Sequence, residues 1–229
     1  MPLSPSRVRA ICFDLDGTLA DTDDQAVQRM ADWLRPLASL FPDNDPAGPL
    51  RRALMASETP LNFFFSLPDR LGLDSALAWA MDALHRWRGV GRPGHFLLIP
   101  GVPAMLDGLA ARYPLALVTA RDRRGTEAFL SQFELGRYFR CVVSAHTCAR
   151  TKPHPMPVLW AAAQMGVPPD RTLMVGDTSV DILSGRRAGA QTVGVLCGFG
   201  RRAELERCGA DAIVERTPDV VAALQEGET

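Results

Sequence analysis

The sequence contains no uninterrupted apolar run approaching the roughly 18–20 residues needed to cross a bilayer. Its first nine residues carry proline, serine and arginine but no apolar stretch of signal-peptide length. The expectation is a cytoplasmic protein with no membrane partner. Cysteine is sparse: Cys12, Cys141, Cys148, Cys197 and Cys208 are scattered, odd in number and free of any C-x-x-C pair, which argues against a disulfide framework and against a zinc cluster. Net charge is scarce too. The formal value of -1 offers no global attraction to nucleic acid or to anionic membrane, so an anionic ligand must be drawn in by a local site. Internal repeats and low-complexity segments are missing. What is present is ordinary globular usage, 47% hydrophobic and 22% charged, in 229 residues, a length that suits one core domain or a core with a small insert.

Short apolar runs at 8–13 (VRAICF), 115–119 (LALVT), 141–144 (CVVS), 172–175 (TLMV), 192–196 (TVGVL) and 211–214 (DAIV) read as buried strands. Helix-period stretches lie between them at 103–112, 124–133, 155–165, 182–188 and 203–208. Strands alternating with helices of this length predict an α/β fold with a parallel, Rossmann-like sheet covered on both faces. The alternation breaks at 22–95, where only helical patterns occur, over 25–40, 47–57, 61–71 and 75–88. A small all-helical domain inserted after the first strand is expected there, with 92–101 as the return linker. The core is then 1–21 together with 96–229.

Four stretches follow predicted strands, at the sheet edge where ligand sites assemble. In Asp14-Leu15-Asp16-Gly17-Thr18-Leu19, an extended backbone turns residues i and i+2 the same way, so Asp14 and Asp16 can converge. Gly17 and Thr18 then offer N–H groups in a tight turn suited to an anion; a capped turn with exposed acids is the plainer alternative. Thr119 ends a strand and can hydrogen-bond a phosphate oxygen, with Arg121, Arg123 and Arg124 making the neighbourhood basic. Lys152 is flanked by prolines in Thr151-Lys152-Pro153-His154-Pro155, a stiff frame for an ammonium group. His154 reads as a loop residue without a metal partner at suitable spacing. Asp177 and Asp181, in Gly176-Asp177-Thr178-Ser179-Val180-Asp181, sit one helical turn apart, although acids there also serve as caps. Crowded carboxylates demand a hard dication, and oxygen-only ligands favour Mg²⁺. Together with a lysine they form a kit for phosphoryl transfer.

These motifs, DLDGTL at 14–19, Thr119 after a strand, TKPHP at 151–155 and GDTSVD at 176–181, resemble the four signatures of haloacid dehalogenase superfamily phosphatases. The helical insert is similar to the family's mobile cap. The tail GRRAGAQTVGVLCGFG, with the GADAIV strand after it, is similar to that of phosphoglycolate phosphatases. The resemblance implies that Asp14 is the nucleophile that becomes an aspartyl-phosphate. Asp16 would be the general acid and base. Gly17, Thr18, Thr119, Ala120 and Lys152 would hold the substrate, and Mg²⁺ would be bound by Asp14, Asp177 and the Asp16 carbonyl. Asp181 would orient Lys152 or a metal-bound water. Two departures stand out: Ala120-Arg121 replaces the asparagine and lysine of many relatives, and His154 replaces a small residue.

The implied activity is hydrolysis of a small phosphorylated metabolite, by a monomer or homodimer. A sugar-phosphate mutase and a catalytically idle binder of phosphorylated ligands are the alternatives. The pair Asp16 and Asp177 argues against a true dehalogenase, and an insert without lysine argues against a phosphonate-cleaving relative. Asn62, Phe63, Phe64, Phe65, His85, Arg86 and Arg88 are the insert's candidates for specificity.

Overall fold

The computed structural model of the chain describes residues 2–21 and 96–225. They belong to one of two compact units, 1–22 with 96–229. The other, 23–95, lies outside the described residues, and with it the expected helical insert and its seven specificity candidates.

Six strands form one sheet: β1 (Ala10–Phe13), β2 (Leu115–Val118), β3 (Phe139–Val143), β4 (Thr172–Gly176), β5 (Gln191–Val195) and β6 (Ala212–Val214). Their order is β3-β2-β1-β4-β5-β6 and every pair is parallel. The described helices are α1 (Val102–Ala110), α2 (Arg123–Gln132), α3 (Met156–Met165), α4 (Ser179–Ala188), α5 (Arg202–Cys208) and α6 (Val220–Gln225).

The period-2 alternation of side chains divides each central strand between two cores. Ile11, Phe13, Leu115, Leu117, Leu173 and Val175 face one side, packed with Leu106 of α1, Phe129 of α2 and Val220 and Leu224 of α6. Cys12, Ala116, Val118, Val143 and Met174 face the other, against Val158 and Ala161 of α3 and Ala188 of α4. The second face is built from smaller residues, and its helices come close. A Cβ on Gly185 of α4 would lie 2.6 Å from Thr192 Cγ2. Burial on both faces explains why β1, β2 and β4 read as continuous apolar runs.

Bounds shift at several elements: β1 starts at Ala10 instead of 8, α1 ends at Ala110 instead of 112, and α4 starts at Ser179 instead of 182. Two further differences have a plain physical reason. β3 begins at Phe139, two residues early, because Arg140 points to solvent and interrupts the apolar run while Phe139 is buried. The short α6 follows a Thr217–Asp219 turn and contributes only Val220 and Leu224 to the core, too few for a helical period to register.

From β1 the chain moves through β2 to β3 on one side, then returns to place β4 on the other. Such a reversal opens a crevice at the carboxyl ends of the strands. Asp14 follows β1, Thr119 follows β2 and Asp177 follows β4, so all three emerge at that edge.

Candidate active site

Asp14 leaves β1 with its N–H bonded to Val175 O at 2.9 Å, which ties the end of β1 to β4. Its carboxylate meets Lys152, whose Nζ lies 2.6 Å from Asp14 Oδ1 and 2.6 Å from Asp181 Oδ1. The Lys152 side chain is only 3% exposed, and it is the single lysine of the chain. Its loop is pinned to α4: Ser184 Oγ donates to His154 O at 2.8 Å and Arg187 Nη1 to Pro153 O at 3.0 Å. His154 itself accepts the Met156 N–H through Nδ1 at 3.2 Å, a service to the loop and the start of α3. Asp181 is fully buried and does two jobs. Its Oδ2 accepts Thr178 N–H and Oγ1–H at 3.1 and 2.6 Å, the capping box of α4, while Oδ1 holds Lys152.

Asp177 is also fully buried. Thr18 Oγ1 donates to its Oδ1 at 3.2 Å and Phe199 N–H to its Oδ2 at 2.8 Å. Glycines make room for this carboxylate. A Cβ on Gly17 would come 2.3 Å from Asp177 Oδ2 and one on Gly198 2.2 Å from the same atom, while one on Gly200 would strike Asp177 O at 1.7 Å. Gly17 also has φ +75°, in the left-handed region. The loop 196–200 is thus part of the site, which the sequence did not reveal, because its glycines lie about twenty residues from the Asp177 carboxylate they accommodate.

The turn after β1 corrects one reading. Gly17 N–H donates to Ala20 O at 2.9 Å and Thr18 N–H to Leu15 O at 3.3 Å, so both are engaged inside the turn rather than turned to an anion. What these residues bring to the site is space for Asp177 and a hydroxyl upon it. Asp14 and Asp16 also take different partners. Asp16 is gripped by Arg121, whose Nε donates to Oδ2 at 3.1 Å while Nη2 pairs with Oδ1. Arg121 lies over the Phe96 ring, 5.3 Å from its centroid. Its backbone N–H donates to Thr119 Oγ1 at 3.0 Å, which leaves the threonine O–H free to point elsewhere. Ala120 is exposed at the strand end. Arg123 is spent on a surface pair with Glu127 at 2.7 Å, and Arg124 is exposed.

The electrostatics follow from burial. Burial pushes the Asp14 carboxyl up to about 7, with Lys152 opposing and Asp181 and Asp16 adding to it. For Lys152, burial disfavours the charge, but Asp14 and Asp181 outweigh it and hold the ammonium above its ordinary range. Arg121 is likewise held above its usual value by Asp16, against its own burial.

Asp14, Asp177 and Asp181 each offer an oxygen within 4.8 Å of the others, and all three are buried. Among the described residues three buried carboxylates gather around one ammonium, a crowding that is costly unless a cation shares it. The donor set is oxygen only, the chemistry of Mg²⁺ rather than zinc. The residues therefore fit a hard dication. Among the described residues no helix is long and apolar enough to cross a membrane.

Comparison with known proteins agrees with this geometry. The family model for haloacid dehalogenase-like hydrolases matches residues 69–195. A probable phosphatase, IndB of Dickeya dadantii, is 32% identical over 93% of this chain and 92% of its own length. The phosphoglycolate phosphatase of Escherichia coli is 27% identical over 95% and 92%. A conserved haloacid dehalogenase-like protein of Agrobacterium tumefaciens shares the fold with a TM-score of 0.65 at 22% identity, covering 97% of this chain and 100% of that one. Sheet order, buried acids and sequence likeness converge: the chain belongs to the haloacid dehalogenase-like hydrolases.

Proposed function

We propose that the chain is a Mg²⁺-dependent phosphomonoester hydrolase that carries the phosphoryl group transiently on Asp14. The observation that supports this is the buried group of Asp14, Lys152, Asp177 and Asp181 at the switch point of the sheet. Mg²⁺ held by Asp14, Asp177 and the Asp16 carbonyl would neutralise charge on the phosphoryl oxygens.

An Asp14 oxygen attacks phosphorus; the new P–O bond forms as the bond to the leaving alcohol breaks. Asp16 gives its proton to that oxygen. In the second half Asp16 takes a proton from water, whose oxygen attacks phosphorus, and the bond to Asp14 breaks, releasing phosphate. Lys152, Thr119 through its O–H and Ala120 through its N–H hold the phosphoryl oxygens. Lys152 also offsets charge on the nucleophile, and Asp181 keeps the ammonium in place. The work is mostly positioning and charge compensation. Residues 22–95 would serve as the cap domain that chooses the substrate, a small phosphorylated metabolite, in a cytoplasmic monomer or homodimer.

Phosphate release from a panel of phosphomonoesters, with Mg²⁺ and with chelator, tests this reading. Wild type should turn over only with the metal, and Asp14→Asn should lose at least ~10³-fold in kcat. An isomeric sugar phosphate without free phosphate would indicate a mutase. Binding of esters with neither product would indicate an idle binder.

A further inference from the structure

We propose that Arg121 is a specificity-determining residue, one that receives a second oxyanion of the substrate on the leaving-group side of the site. The inference rests on the phosphatase reading above and adds to it the chemical class of the substrate.

Of the three arginines that follow Thr119, only Arg121 turns into the site. Three contacts fix it there: the Asp16 carboxylate, the Phe96 ring and, through its backbone N–H, the Thr119 hydroxyl. Its side chain is 20% exposed, which places the guanidinium at the mouth rather than in the floor.

A guanidinium carries five N–H donors. Asp16 takes one from Nε and one from Nη2. Nη1 donates no hydrogen bond among the described residues, so part of the fork remains for another acceptor. Carboxylate and phosphate are the planar and tetrahedral oxyanions that match this fork.

Position makes the ligand specific. Asp16 must reach the ester oxygen at hydrogen-bond distance to protonate it, and Arg121 Nε stands 3.1 Å from Asp16 Oδ2. The guanidinium is therefore within about two hydrogen-bond lengths, roughly 6 Å, of that oxygen. A carboxylate or phosphate one or two bonds beyond the ester oxygen falls inside its reach. A lysine here would be a point charge, whereas the Arg121 guanidinium, bonded to Asp16 and lying over the Phe96 ring, presents an oriented edge. Lys152 and the Mg²⁺ site serve the transferred phosphoryl group, and Arg121 serves what departs.

The test compares matched substrates: phosphoglycolate against 2-hydroxyethyl phosphate, which lacks the carboxylate, and inorganic pyrophosphate as the source of a second phosphate. Rates are taken for wild type, Arg121→Gln and Arg121→Lys with saturating Mg²⁺. Wild type should favour at least one anionic substrate over the neutral ester by tenfold or more in kcat/KM, and the arm that wins identifies the oxyanion. Arg121→Gln should collapse that ratio toward one, mainly through KM, and Arg121→Lys should recover part of it. Should Arg121→Gln not fold, the wild-type ratio and Arg121→Lys carry the test. An equal loss on neutral and anionic substrates means that Arg121 acts only through Asp16, and overturns the inference while leaving the phosphatase reading intact. A wild type without preference for either anion overturns it as well. No turnover of any substrate by wild type would overturn the phosphatase reading itself.

Discussion

Lys152 carries an unusual share of this site. The chain has 25 Lys and Arg residues, and the only lysine among them bridges Asp14 and Asp181 at 2.6 Å with a side chain that is 3% exposed. An ammonium is compact enough to enter between two buried carboxylates, and a guanidinium is not. Lys152→Arg should therefore fail nearly as badly as Lys152→Ala, with kcat down at least ~10³-fold in each. Removing the charge also strands two buried carboxylates, a change that costs about 3–5 kcal/mol where a buried pair is broken; thermal melts of the metal-free variants check it. Asp14 adds a pH dependence with a definite sign. Its carboxyl is raised to about 7, above its ordinary 3.8, so between those values the folded chain binds more protons than the unfolded one. This group's destabilising effect is then full above pH ~7 and is relieved as pH falls toward 4. Melting temperature of the metal-free protein should rise from pH 8 to pH 5.5, and that gain should shrink in Asp14→Asn.

At the scale of elements, the loop between β5 and α5 behaves as a clamp on Asp177. Gly198 and Gly200 let its backbone run against that residue, and the Phe199 N–H fixes Oδ2. Cys197 Sγ reaches Gly17 O at 3.5 Å and Thr217 Oγ1 at 3.3 Å, which ties the loop to the turn after β1. Gly198→Ala must displace either Asp177 or the Gly17 carbonyl. Calorimetry should show Mg²⁺ binding weakened at least tenfold in this variant, with kcat recovering as Mg²⁺ is raised. An unchanged affinity with lost activity would contradict the clamp. The same loop shows where sequence reading stops. β1 and β4 were legible because burial on both faces makes them almost wholly apolar, and the acids after them follow closely on those runs. Arg121 on Asp16 spans 105 residues and Phe199 on Asp177 spans 22. No local period records such pairings, and the N–H groups of Gly17 and Thr18 were misread because only the folded turn shows what they bond.

For the whole molecule, the sheet brings four distant segments to one edge, and charge is what unites them. Among the described residues three buried carboxylates share one ammonium, so a bound cation would support the fold as well as the reaction. A ligand that binds only the native state stabilises it by about 2.7 kcal/mol at a hundredfold excess over Kd. For a chain of this length that corresponds to roughly 5–10 °C in melting temperature. Differential scanning with Mg²⁺ and with chelator should show that gap in wild type and lose most of it in Asp177→Asn. An equal response from both proteins would place the ion elsewhere.

The most direct measurement asks whether Asp14 carries the phosphoryl group. Turnover of a good substrate with Mg²⁺ is quenched in acid, reduced with borohydride, which converts an aspartyl-phosphate to homoserine, and mapped by peptide mass spectrometry. The account predicts homoserine at position 14, present only when substrate and Mg²⁺ are both supplied. Modification at another acid, or an Asp14→Asn enzyme that keeps the wild-type rate, would contradict it.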